Sequence, residues 1–289
     1  SSRAAVRDAL VDLGAPAQDA LESAMRSATT APATRLHIPR TLCRFGNQRA
    51  ADFLTEQLAI DPSRLVRYKV LRGLGRLVAD SDVRVDRKAI LGQMRRNLVE
   101  HLETLAARVP FDGAPQTRET KAGELLLGLL ADKLRQSLER AFRLLHVVHR
   151  REDIRRVYLL LGSSDRHDRS NAMEFLDALT SNESDDQASE TRELLRLVVD
   201  DLPAAEKVQR AAAYVPDPPA GVEAALLALV GDHDTALAAL AAYHAQELGL
   251  HDVLAEVERA GRERPSLFEM TRAAFTRPAR TEEALHAGQ

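Results

Sequence analysis

The chain has 289 residues, of which 45% are hydrophobic but only 4% aromatic, with no Trp, a formal net charge of −3 and a single cysteine. One cysteine excludes an internal disulfide framework and fits a reducing compartment. The longest apolar runs, residues 125–131 and 236–243, fall far short of the ~20 residues a helix needs to cross a bilayer. Ala, Leu, Arg, Asp and Glu supply most of the chain, a composition that favours helices over the β-branched and aromatic content of sheets. The chain opens on Ser1 and Ser2 with no initiator Met and no basic-then-apolar leader, so it reads as a piece of something longer.

The first elements carry a recurring cassette: residues 3–14 (RAAVRDALVDLG), 35–46 (RLHIPRTLCRFG) and 64–75 (RLVRYKVLRGLG). The copies share an opening Arg, an apolar second position, Leu10, Leu42 or Leu71, then Leu13, Phe45 or Leu74, and a closing Gly14, Gly46 or Gly75. Their starts lie 32 and 29 residues apart, a period at which stacked helix pairs are written in sequence. Such a unit cannot bury its apolar stripe alone, and the pattern predicts a right-handed α-solenoid of helix pairs whose function is carried by an extended surface. Between the cassettes, Pro16 opens a helix to about Ser27, residues 29–32 form a turn, and Asn47 caps a helix through Phe53, Leu54 and Leu58. Asp61 is expected as the next N-cap, with Pro62 at the first helical position.

From Asp86 the rhythm changes. Ile90, Met94, Leu98, Leu102 and Leu105 predict one long helix over residues 86–109, broken by the segment 110–115 (PFDGAP). Leu126, Leu129, Leu130, Leu134, Leu138, Phe142 and Leu145 predict a second over 117–149, the pair forming an antiparallel insertion with a mobile loop. Repeats resume at residues 152–161, turn at Gly162, Ser163 and Ser164, and give a fourth cassette from Asp165 with Arg166, Ala172, Met173 and Leu176 in register. The acidic stretch 181–190 (SNESDDQASE) predicts a solvated loop. Helices are expected over 190–199, 203–214, 221–230, 233–247 (a degenerate fifth cassette), 251–261 and 266–275, with a frayed tail after Pro278. The expected organisation is one continuous solenoid: repeats over 1–80, the long pair over 81–150, repeats over 151–275 and a tail over 276–289.

The cassettes resemble HEAT repeats, whose second helix typically carries Asp-Pro, then Val-Arg, an Ala two residues further on and Leu-Gly near the end. Asp61 and Pro62, Val66 and Arg67, Val70, Leu74 and Gly75 match best, and Asp165, Arg169, Ala172 and Leu176 match next; the resemblance covers about 200 of the 289 residues. Residues 140–179, with the long helices before them, are also similar to the soluble HEAT-like region of bacterial ATP/ADP translocase-type, major-facilitator-like transporters. That resemblance implies a cytoplasmic interaction or regulatory module, at the inner face of the membrane and partnered by the membrane domain of the same polypeptide.

A search for chemistry returns little. His146 and His149 share a helix face near Glu152 and Asp153, but Arg150, Arg151, Arg155 and Arg156 would repel a cation, so no metal is expected. His233 and His251 precede Asp residues that helix capping explains. Cys43 falls at an inward cassette position, although Arg40 and Arg44 are near enough in sequence to lower its pKa. No phosphate-cradling Gly-rich loop or nucleophile motif occurs, and neither catalytic residues, a cofactor nor a small-molecule substrate is expected.

Charge is the remaining signal. Residues 1–156 carry +9 and residues 157–289 carry −12. Arg35, Arg40, Arg44, Arg64, Lys69 and Arg72 form the candidate binding surface, on helices that would line the concave side of a HEAT-like array, suited to an acidic segment or a phosphate backbone. Arg67 and Arg169 sit at the HEAT arginine position and are assigned a structural role. The sequence thus predicts a non-enzymatic protein-interaction scaffold. The alternative is a HEAT-like DNA-binding protein or glycosylase with a basic groove, which overall acidity and the lack of interleaved aromatics disfavour; a tetrapyrrole lyase-like protein has no motif to support it.

Overall fold

The computed structural model describes residues 2–180 and 186–263, with Ser266, Glu269 and Thr271. Every regular element among these is helical. The chain opens with α1 (Ser2–Asp12) and α2 (Ala15–Arg26), the latter with Pro16 in its first turn, where a missing N–H is harmless. The second cassette is not one helix: it is divided among α3 (Pro32–Arg35), α4 (Ile38–Leu42) and a 3-10 turn, Cys43–Phe45. Pro39 has no N–H to donate to the Arg35 carbonyl, so the ladder cannot run across. Then come α5 (Gln48–Ile60) and α6 (Arg64–Asp80). Asn47 caps α5 as expected, its side chain accepting from the Ala50 N–H at 2.9 Å.

The cap of α6 is Ser63 rather than Asp61. Asp61 is drawn inward by Arg35 (2.5 Å), and its other carboxylate oxygen accepts from the Ser63 N–H at 2.9 Å. The cassette glycines also part ways. Gly14 and Gly46 take φ of 67° and 64° at helix ends, whereas Gly75 lies inside α6, which continues because Leu77 and Val78 extend its buried stripe. Leu13 is exposed where Leu74 is buried, so like sequence does not mean like packing.

Next are α7 (Arg87–Asp112) and α8 (Lys121–Val148), separated by a 3-10 turn, Pro115–Arg118. The stripes read from sequence are largely the buried ones: Ile90, Met94, Leu98, Leu102 and Leu105 on α7, and Leu126, Leu130, Leu134, Phe142 and Leu145 on α8, where Leu129 and Leu138 are only half-buried. Pro110 does not end α7, which runs two residues further. The helix is already finishing, so the lost hydrogen bond costs little, and Phe111 is fully buried. The remaining helices are α9 (Ile154–Leu161), α10 (Arg166–Thr180), α11 (Asp186–Val199), α12 (Ala204–Arg210), α13 (Val222–Val230), α14 (Thr235–Glu247) and α15 (His251–Glu263). The acidic stretch is therefore helical from Asp186: Ala188 is buried and Glu190 takes a bidentate pair from Arg95 at 2.6 and 2.8 Å. The expected loop residues 181–185, the tail after Pro278 and most of 266–275 lie outside the described residues.

By contact the chain divides into two units, one formed by residues up to Leu98 with Ser137–Asp200, the other by Val99–Gln136 with the residues from Asp201 onward. In the first, α5 packs on α6, α6 on α4, and α10 on both α9 and α11. Each fully buried leucine of this core, Leu42, Leu54 and Leu74 among them, contributes ~1.5–3 kcal/mol. In the second, α13, α14 and α15 pack mutually, and their buried Leu, Val and Ala side chains join Phe111, Leu126 and Leu130 in one cluster. His244, 0% exposed, sits there with its Nδ1 2.9 Å from the Thr120 hydroxyl.

Candidate functional site

The site is built on α6. Its apolar positions Val66, Val70, Leu71, Leu74, Leu77 and Val78 turn inward, which sends Leu65, Lys69, Arg72 and Arg76, spaced four, three and four residues apart, along another stripe. Gly73 lets α6 come close to the α4 backbone: a Cβ there would stand 2.9 Å from the Pro39 carbonyl oxygen. The two elements enclose a cleft of about 380 Å³. One wall is Ala33, Leu36, His37, Arg40 and Cys43; the other is Leu65, Lys69, Arg72 and Arg76, with Gly73 at the close approach.

The electrostatics of this cleft are one-sided. Among the described residues Arg40, Lys69, Arg72 and Arg76 make no ion pair, while Lys69 and Arg72 lie 6.0 and 5.9 Å from the Tyr68 ring. Like charges three and four residues apart on one helix repel by a few tenths of a kcal/mol per pair. The cleft lining therefore carries an excess of positive charge. At Cys43 burial pushes the thiol up, Arg76 opposes this and Asp80 adds to it, and the Sγ donates to the Arg40 carbonyl at 3.4 Å.

Of the six sequence candidates, the structure brings Arg40, Lys69 and Arg72 together and separates the rest. Arg35 is held by Asp61, Arg44 pairs with Asp8, and Arg64 is exposed at the start of α6, away from the cleft. Arg76 and His37 were missed. Arg76 had a signal, its spacing of four from Arg72 on a helix already assigned there, but it falls just past the Gly that the cassette pattern treats as an end. Arg67 and Arg169 prove equivalent: each Nη1 donates to the two carbonyls of the preceding turn, Asp61 and Pro62 at 2.6 and 3.2 Å, Ser163 and Ser164 at 2.9 and 3.1 Å.

Elsewhere, Asp234 caps α14 by accepting from the Ala236 and Leu237 N–H groups, as its position after His233 suggested. His149 is partly buried beside Arg87, and burial with that cation lowers its pKa to about 4. Among the described residues no group of three His, Cys, Asp or Glu side chains is placed to hold a metal, and no helix is long and apolar enough to cross a membrane. No protein-family model, no curated protein and no solved structure matches this chain.

Proposed function

We propose that this chain is a non-enzymatic interaction module, a right-handed solenoid of HEAT-like helix pairs, that docks an anionic segment of a protein partner in the cleft between α4 and α6. One observation carries the reading: four cations from two elements, none of them in an ion pair, line one cleft. Neutralised cations describe a scaffold, whereas clustered cations with no partner describe a surface awaiting one. The repeat character draws support from the matching anchorage of Arg67 and Arg169, four residues into α6 and α10. The interaction role draws support from the cleft's mixed walls, cationic on Lys69, Arg72 and Arg76, apolar on Ala33, Leu36 and Leu65.

The test is fluorescence anisotropy of a labelled glutamate- and leucine-containing peptide against the full chain over a salt series. Binding that weakens with salt and disappears in the Lys69→Glu, Arg72→Glu double variant is expected. No binding at low salt, or binding indifferent to that variant, overturns the proposal. Tighter, salt-steep binding of a DNA duplex than of the peptide overturns it in favour of a nucleic-acid groove.

A further inference from the structure

Resting on that docking reading, we infer that the anion the cleft takes is the phosphate of a phosphorylated peptide segment with an apolar residue beside it. Charge is the first argument. A carboxylate brings one negative charge and two oxygens, whereas a phosphate monoester brings about −1.5 to −2 at neutral pH and three strong acceptor oxygens. Arg40 lines one wall of the cleft, and Lys69, Arg72 and Arg76 line the other. Guanidinium forks from opposite sides match tetrahedral phosphate oxygens, and a lysine adds a point charge. A lone carboxylate would leave most of this set unanswered.

Shape and polarity narrow the ligand further. Leu65 is 53% exposed and shares the cleft with Leu36 and Ala33, so the ligand has an apolar part within a residue's length of its phosphate. Free inorganic phosphate does not use that seat. A volume of about 380 Å³ lies at the low end of ligand sites. It suits a phosphorylated side chain and one neighbour rather than a long acidic tract. Gly73 lets the α6 backbone lie close to that of α4, so the two helices that carry the cations are already adjacent before any ligand arrives.

Three labelled peptides of one leucine-containing sequence, differing only in phosphoserine, glutamate or serine, decide the matter by anisotropy with the full chain. The phosphoserine peptide is expected to bind at least roughly tenfold tighter than the glutamate peptide, and the serine peptide weakest. Arg72→Ala and Arg76→Ala should each weaken the phosphopeptide roughly tenfold with an unchanged helical melt, and Leu65→Ala about threefold. Equal affinity for glutamate and phosphoserine overturns this inference and leaves the docking reading standing. If none of the peptides binds at low salt, both fall. Inorganic phosphate competing as well as the phosphopeptide, or phosphoinositide-containing vesicles binding while the peptide does not, overturns the peptide assignment in favour of a free phosphate or a lipid headgroup.

Discussion

Two sets of cations only a few residues apart have opposite surroundings. Around Asp61, whose side chain is 0% exposed, Arg35 pairs with the carboxylate at 2.5 Å and Arg67 takes the Asp61 carbonyl at 2.6 Å. In the cleft, Arg40, Lys69, Arg72 and Arg76 form no ion pair, although Asp80 stands near enough to act on the Cys43 thiol. The first set locks the α5–α6 turn; the second leaves charge over. A count of arginines does not distinguish them, because what makes a binding surface is the balance of charge after folding.

The sharpest way to break this contrast is to remove the buried carboxylate. Asp61→Ala strands the Arg35 guanidinium and the Ser63 N–H, and a loss of about 3–5 kcal/mol is expected in urea unfolding. A loss below 1 kcal/mol would place Asp61 among ordinary surface pairs. The same logic of an answered or unanswered charge applies to acid. His149 and His244 are held neutral by burial, His149 also by Arg87, while Glu247 partly opposes the effect at His244. Unfolded imidazoles protonate near pH ~6.5, so neither residue affects stability above that pH. As pH falls below it, the unfolded chain gains protons that the folded chain refuses. His149 should contribute about 3 kcal/mol of destabilisation, complete only below about pH 4. His149→Gln should flatten that part of the pH dependence relative to the parent chain; an unchanged slope would refute the assignment.

Gly73→Ala sharpens the cleft side. Its methyl would meet the Pro39 carbonyl, forcing α4 from α6, with about 1–3 kcal/mol lost and anion binding weakened together. Smallest of all, Lys69→Ala and Arg72→Ala should change stability by no more than about 0.5 kcal/mol, with the sign toward stabilisation because repulsion is relieved. If thermal melts show these variants strongly destabilised, the cleft cations are structural after all and the contrast with Asp61 disappears.

Much of the helical layout was legible because its signals are local. The buried faces of α7 and α8 follow apolar spacing, and Asn47 and Asp234 cap where a short polar side chain precedes an apolar run. The errors have non-local causes. Asp61 was read as a cap because Asp-Pro is a start signal, but an arginine 26 residues earlier competes for it. The stretch near 186–190 was read as loop on polarity alone, and Arg95, nearly a hundred residues distant in the chain, pairs with it. The candidate site was half legible: Arg40, Lys69 and Arg72 were named, Arg76 was not, and Arg35, Arg44 and Arg64 were named without belonging to the cleft.

The amino-acid sequence by itself determined that this chain is helical, where most helices begin, and which faces turn inward, since caps and apolar periodicity act within a few residues. Tertiary structure alone decided which cations are neutralised and which line a cleft. That outcome depends on the approach of Arg35 to Asp61 and of Gly73 to Pro39, and coulombic balance is settled by distance in space rather than by order along the chain.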